Sequence, residues 1–434
     1  MRGLKKVKIK DVPGIKMALL EWSQQYEEVA WLDSNDHQQK FSTYDAVLAA
    51  DAFTAIQTDT HRAFARLQEY QETTRDWLFG YLSYDLKNDT EELTSKNFDG
   101  LGFSDLFFFQ PKKLFLLKGD ELEVRYLNLV DDELQQDLEE IFNMVSSEDK
   151  SEKTSIPSAI RLKPRIEKEE YLKKIKEVLE YIQRGDIYEA NFCQEFYAEN
   201  VEIDPLKTYV ALNAISNPPF AGFLKHQEHF LLSASPERYL QKKGNEIISQ
   251  PIKGTARRSK DAEEDLELAA QLENDPKERS ENVMIVDLVR NDLSKTAKKG
   301  TVEVEELCKI YTFEQVHQMI STVRSQLDEG ISAVEVLRTT FPMGSMTGAP
   351  KISAMKIIED LEETKRGVYS GAVGYFTPDN DFDFNVVIRS ILYARNNKYL
   401  SFSVGGAITS GSVPEKEYNE CMVKAKALLE VLEK

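Results

Sequence analysis

The sequence predicts an α+β fold built on antiparallel sheet. Two patterns carry this prediction. The β-type runs follow one another through short polar turns, and the helical stretches come in blocks instead of alternating with strands. The size agrees: 434 residues, 41% hydrophobic and 10% aromatic, form one large domain or two with a substantial core. No internal repeat is visible.

In chain order, the first third reads as helices near 14–26 and 61–72 and a β run "WLFGYLSYDL" at 77–86. Next, "KKLFLLKGDELEVRYLNL" (112–129) is a hairpin whose turn is "KGDE". The polar stretch "VSSEDKSEKTSIPS" (145–158) lacks large apolar residues and divides the chain. It leaves an N-terminal region at 1–145, a linker or exposed loop at 146–158, and a C-terminal region at 159–434. That last region opens with a helix at 168–184, apolar at Tyr171, Ile175, Val178, Leu179 and Ile182, and stopped by Gly185. Next comes "DIYEANFCQEFYAE" (186–199). Segment 229–254 reads as a pair of β runs joined by "KKGN". Helices at 261–273 and 277–292 are separated by the breaker "NDP". Strands are expected at 301–311, 371–377, 384–394 and 399–404, and helices at 350–362 and 415–433.

The composition excludes several functions. A formal net charge of -19 leaves no basic face for nucleic acid and disfavours an anionic membrane. No apolar run approaches a membrane span, and "MRGLKKVKIKDVPG" lacks the apolar core of a signal peptide. The three cysteines, Cys193, Cys308 and Cys421, are isolated, which fits a reducing compartment, the cytoplasm. None lies in a glycine-flanked nucleophile turn, so no glutamine-hydrolysing thiol is expected.

Five segments could carry chemistry. In "ISQPIKGTARR" (248–258), Pro251 and Gly254 fix Lys253 at a strand exit; it is either a solvated charge or a desolvated nucleophile. Glu237 in "SASPERYL" lies on the preceding run, where pairing across "KKGN" brings it near Lys253 for acid–base work; alternatively it is a surface glutamate neutralised by Arg238. Glu278 and Glu281 share one helix face, and Glu417 and Glu420 repeat the spacing on the last helix. Together they could ligate Mg²⁺, or they are solvated faces in a chain with 74 acidic residues. In "PMGSMTGAPK", Pro350 rules out a nucleotide phosphate loop. Gly344, Ser345 and Thr347 before a helix start suit an anion such as a carboxylate, or form a plain connector. Finally, Arg389 within an apolar strand needs a carboxylate of protein or ligand. Gly405 and Gly406 permit close backbone approach, and Lys424 lies one turn beyond Glu420.

These segments, in this order, resemble the chorismate-utilising enzymes: anthranilate synthase component I, aminodeoxychorismate synthase component I, and the isochorismate and salicylate synthases. The likeness is dense from about 165 onward, through "GDIYEANF", "SPERYL", "PIKGT", "ENVMIVDLVRND", "FPMGSMTGAPK", "GAVGYF", "IRS" and "VGGAI". Before that it is sparser, though "FGYLSYDLKN" (79–88) is similar to the aminodeoxychorismate synthase group. The resemblance implies two antiparallel sheets packed as a sandwich with helices outside, and a chorismate-binding catalytic region at 159–434. Lysine in P-I-K-G-T points to aminodeoxychorismate synthase, since anthranilate synthases usually have alanine there. In that group the lysine is proposed to attack C2 of chorismate as the C4 hydroxyl leaves; ammonia then adds at C4 and expels the lysine.

On that likeness Lys253 would be the covalent catalyst and Glu237 the acid for the departing hydroxyl. Glu281 and Glu420 would bind Mg²⁺, with Glu278 and Glu417 close by. Arg389, Tyr369 and Lys424 would hold substrate carboxylates, helped by amides around Gly344–Ser345 and Gly405–Gly406. Ammonia would come from a separate glutamine amidotransferase subunit, and the product would lead to 4-aminobenzoate and folate. Relatives also carry a tryptophan pocket in the N-terminal half, which the sequence does not locate. Two positions depart from the pattern: Glu189 stands where amine-transferring members usually have Gln and water-adding members Lys, and Gln318 stands where many have His, with His317 one earlier. Anthranilate synthase component I and a catalytically silent subunit of the same fold are the competing readings.

Overall fold

The computed structural model describes residues 2–37, 40–146, 160–313 and 316–433, so the linker expected at 146–158 lies outside the described residues from 147 on. Burial alternates with period two along the central strands. Ala30, Val47, Ala49, Leu224 and Leu231 face one core, while Val29, Trp31, Leu48, Phe223 and Leu232 face another. A strand that is apolar on both sides must be covered on both sides, here by a second sheet layer and by helices.

The first layer runs, all antiparallel, from Arg2–Lys8 through Glu121–Leu127, Leu106–Lys118, Ala46–Thr58, Glu28–Asp33, Phe220–His226, His229–Ser235, Ser390–Ala394 and Tyr399–Thr409 to Glu189–Glu199. The second runs from Leu106–Lys118 through Leu78–Leu82, Ala372–Phe376, Phe382–Val386, Arg238–Lys243 and Glu246–Gln250 to Val316–Gln326. Ile252–Arg257 and Glu303–Thr312 also pair with that last strand. The expected sandwich is therefore present, and the long strand Leu106–Lys118 serves both layers, so its hydrogen bonding continues from one to the other. Helices Val12–Trp22, Leu134–Ser146, Pro205–Ser216 and Pro414–Leu432 cover the outer face of the first layer. Helix Lys168–Arg184 has the predicted bounds and ends on Gly185 at φ +84°, the left-handed turn that glycine adopts without steric cost. Among the described residues no helix is long and apolar enough to cross a membrane.

Three expected β runs prove to be broken, and the breaks at Pro236 and before Ser390 matter most. Segment 229–254 forms four strands, not two: His229–Ser235, Arg238–Lys243, Glu246–Gln250 and Ile252–Arg257. Segment 384–394 is divided between Phe382–Val386 and Ser390–Ala394. Before the first break, His229–Ser235 pairs with Ser390–Ala394 in the first layer; after it, Arg238–Lys243 pairs with Phe382–Val386 in the second. Both chains cross between layers at the same level, tied by Ala234 N–H to the Arg389 carbonyl (3.1 Å) and Val386 N–H to the Glu237 carbonyl (3.0 Å). Pro236 lacks the N–H that would continue the ladder, and Arg389 takes φ +53°, a left-handed conformation costing roughly 1 kcal/mol or more in a residue with a Cβ. The crossovers place Glu237 and Arg389 where the layers part, instead of within a strand.

Candidate active site

Lys253 lies in a β-bulge. Ile252 pairs with Ile320 and Thr255 with Gln318, so three steps on one strand match two on its partner. Gly254 takes up the distortion at φ +92°, and a Cβ there would lie 3.1 Å from Glu278 Oε2. The bulge turns Lys253 inward: its side chain is 11% exposed and its Nζ lies 3.0 Å from Oε1 of Glu189. Glu189 is fully buried, and its other oxygen, Oε2, has no hydrogen-bond partner. Burial, the largest single influence, drives Lys253 toward the neutral amine. The charges of Glu189, Glu281 and Glu237 outweigh it and leave the pKa above the ordinary lysine value. The lysine is thus a buried, ion-paired ammonium in the resting site.

Glu237 is 5% exposed and accepts a hydrogen bond from Ser345 Oγ at 2.7 Å. Burial pushes its carboxyl up to about 7, against the opposing pull of Ser345, Lys253 and the Ile252 amide. It is protonated in mildly acidic solution and still partly so near neutral pH, which suits a general acid.

The two acidic pairs sit at the starts of two helices, Pro276–Ser294 and Pro414–Leu432. Asp275 caps the first by accepting from the amides of Lys277 and Glu278 at 2.8 and 3.0 Å. Lys277 links the pairs, 3.3 Å from Glu417 and 3.7 Å from Glu281. Lys424 holds Glu420 at 2.7 Å and donates to the Gly405 carbonyl at 2.9 Å. Gly406 lies against this cluster: a Cβ there would be 3.7 Å from Glu417 Oε2 and from Lys424 Nζ. Burial raises Glu281 to about 7, and its Oε1 is buried without a hydrogen-bond partner. Glu278 is raised by burial and then by Glu420; Glu420 is lowered because Lys424 overcomes its burial. Among the described residues no three carboxylates converge closely enough to hold a metal unaided.

Arg389 is half-buried, and its guanidinium has no hydrogen bond or ion pair among the described residues. Burial depresses its pKa, offset by Tyr369 and Glu420, but a guanidinium remains charged. Glu420 senses Lys253, Lys277 and Lys424 and acts on Arg389, so the groups form one electrostatic site. The fold thus brings a lysine in a bulge, a buried acid, an arginine unpaired among the described residues and a two-helix carboxylate cluster within electrostatic reach of one another.

The sequence decides which family this arrangement serves: residues 27–430 match the description "chorismate binding enzyme". The chain belongs to the chorismate-binding enzymes. It is 36% identical over 362 residues to anthranilate synthase component 1 of Thermus thermophilus, covering 82% of this chain and 77% of that protein. It is 40% identical over 267 residues to aminodeoxychorismate synthase component 1 of Escherichia coli, covering 62% and 58%, and 32% identical over 394 residues to the Bacillus subtilis protein of that name, covering 88% and 80%. The crystal structure of anthranilate synthase component I from Streptococcus pneumoniae superposes with a TM-score of 0.78 at 26% identity, covering 91% of this chain and 94% of that one.

In this chorismate-binding enzyme two expected site residues have other duties. Thr347 is fully buried and turns its hydroxyl to the carbonyls of Met343 and Gly344, both at 3.3 Å, while its amide donates to Gly344. Its hydroxyl and amide thus close the turn in this structure. Tyr369 is 3% exposed with its hydroxyl 3.5 Å from Cys193 Sγ, and it acts electrostatically on Arg389. Gly344 is required by packing, because a Cβ would lie 2.7 Å from Leu288. Gly405 pairs with Cys193 and lies so close that a Cβ would meet its sulfur at 2.4 Å. His317 faces Asp265 (3.0 Å) and Thr312 (2.9 Å), and Gln318 Oε1 is buried without a partner.

Sequence reasoning missed the clamp beneath the site. Arg366 forms a two-point pair with Glu362 (2.9 and 2.7 Å) and donates to the carbonyls of Met346 and Asn191, both at 2.7 Å. Glu362 in turn accepts the Cys193 amide at 2.8 Å. One buried guanidinium thereby fixes the Gly344–Met346 turn against strand Glu189–Glu199. The i,i+4 spacing of the two residues was the available signal; it does not distinguish a buried clamp from a surface pair.

Proposed function

We propose that this enzyme forms 4-amino-4-deoxychorismate from chorismate and ammonia. The observation that carries the reading is Lys253, held in the bulge of P-I-K-G-T within the field of Glu237 and Glu189. In the first half of the reaction the lysine lone pair forms a bond to C2 of chorismate. The C1=C2 pair shifts to C1=C6 and the C5=C6 pair to C4=C5. The C4–O bond breaks, and the oxygen leaves as water with the Glu237 proton. In the second half ammonia adds at C4, the double bonds return, the C2–N bond to Lys253 breaks, and Glu237 recovers a proton from the incoming nitrogen. Arg389 would pair with a substrate carboxylate, because no described protein group claims it.

Six carboxylates (Glu189, Glu237, Glu278, Glu281, Glu417 and Glu420) share the site with four cations (Lys253, Lys277, Arg389 and Lys424). Burial raises Glu237 and Glu281 to about 7, so above neutral pH, where both ionise, a dianionic substrate entering such a site needs added positive charge. Glu281 Oε1, buried without a hydrogen-bond partner, and the two-helix carboxylate set fit Mg²⁺, which accepts one or two carboxylates and completes its shell with water and substrate. Glu281 and Glu420 would hold it, and it would supply charge neutralisation for a substrate carboxylate. Ammonia would come from a separate glutamine amidotransferase, since the cysteines are buried and the pKa of each is raised by burial.

The test is product identification. Chorismate, Mg²⁺ and ammonium at alkaline pH should yield aminodeoxychorismate, converted to 4-aminobenzoate by an added lyase, and chelation should stop the reaction. Anthranilate as the main product would instead support the second reading, which the Thermus thermophilus relative favours. For the arginine, Arg389→Gln should raise the KM for chorismate by ~10- to 100-fold, the loss of one charge-assisted contact, without lowering Tm. A lower Tm with unchanged KM would make Arg389 structural.

A further inference from the structure

Within the aminodeoxychorismate reading, Lys253 must present a lone pair, yet the resting site holds it as an ammonium. Four carboxylates face it: Glu189 from strand Glu189–Glu199, Glu237 at the crossover, Glu281 from helix Pro276–Ser294 and Glu420 from helix Pro414–Leu432. Among the described residues only Glu189 is within ion-pair distance, at 3.0 Å. Its placement is rigid. The Glu189 backbone pairs with Ala349 on one side and Thr409 on the other, and Gly348 approaches so closely that a Cβ would lie 2.1 Å from the Glu189 carbonyl. Its side chain is fully buried, and Oε2 is left without a partner. A buried carboxylate with one oxygen on a lysine and the other unsatisfied gains most from the salt bridge and has room to carry a proton.

We propose that Glu189 is the lock on Lys253: it keeps the amine an ion-paired ammonium in the resting enzyme and takes up its proton when chorismate is in place. The step balances. One N–H bond of Lys253 breaks and one O–H bond of Glu189 forms, the freed lone pair attacks C2, and after C2–N cleavage Glu189 returns the proton to the departing amine. Glu189 acts through Lys253 and is a positioning residue; its role is to set the pH range in which the lysine is nucleophilic.

Trace labelling with acetic anhydride across pH, read at Lys253 by peptide mass spectrometry on the full chain without substrate, tests the lock independently of the reaction assignment. Wild-type reactivity should rise with a midpoint above the ordinary lysine value of ~10.4. Glu189→Gln, which keeps shape and hydrogen bonding without the charge, should move that midpoint down by a pH unit or more, making Lys253 ~10-fold more reactive at pH 8. The limb of kcat/KM set by Lys253 should shift the same way at fixed free ammonia, with KM for chorismate within ~3-fold. A wild-type midpoint at or below ~9, or no downward shift in the variant, overturns the lock. A labelling shift with no aminodeoxychorismate formed by the wild type would leave the lock standing and overturn the reaction assignment alone.

Discussion

Lys253→Ala is expected to lower ammonia-dependent aminodeoxychorismate formation by ~10³-fold or more, the scale on which loss of a covalent catalyst acts. Among the described residues no other lysine is placed by the bulge, and the only ion-pair partner of this one is Glu189. The variant carries a structural side effect that must be separated from chemistry. Removing one member of a buried pair strands the other, at ~3–5 kcal/mol unless the carboxylate takes a proton. The double variant Lys253→Met, Glu189→Gln removes both charges and should restore Tm while remaining inactive. Turnover comparable to wild type in either variant would eliminate the covalent role.

Glu237→Gln is expected to cost ~10²- to 10⁴-fold in kcat, the range of a lost general acid. Its pH behaviour gives a second readout. The folded-state value of about 7 lies above the unfolded value of ~4.3, so the folded protein holds a proton that the unfolded chain releases between them. That contribution to stability is complete below the unfolded value and is lost as pH rises through about 7. Glu237→Gln should therefore raise Tm more at pH 8 than at pH 5. Equal Tm differences at the two pH values would mean that Glu237 titrates like an exposed carboxylate, and its role as the acid would fall with it. In turnover the same ionisation sets a falling limb toward alkaline pH, while the Glu189–Lys253 pair sets the rising one.

Local chemistry made much of the fold legible. Helix Lys168–Arg184 was readable from its apolar spacing and Gly185, and helices Pro276–Ser294 and Pro414–Leu432 were readable within a few residues. The hairpin turning at Gly119 was also visible, because each of these signals is satisfied by residues a few positions apart. The layer crossovers were not visible. Strand-like residues continue on either side of Pro236 and of Arg389, so local pattern gives no sign that the chain changes layer there. Which layer a strand joins is settled by partners more than 100 positions away: Arg238 pairs with Asn385, and Ser233 with Ser390.

The candidate site divides in the same way. The sequence by itself determined the residue types: a lysine between Pro251 and Gly254, two pairs of glutamates each on one helix face, and an arginine set among apolar residues. Those follow from spacing and backbone preference, which act over a turn or a strand. Only the tertiary structure decided the state of those residues. Glu189 lies 64 positions from Lys253 and Ser345 lies 108 from Glu237, yet these contacts set how the lysine and the acid hold their protons. Protonation of a buried group is the balance of its desolvation against every charge nearby, and that balance exists only once the chain has brought the charges together.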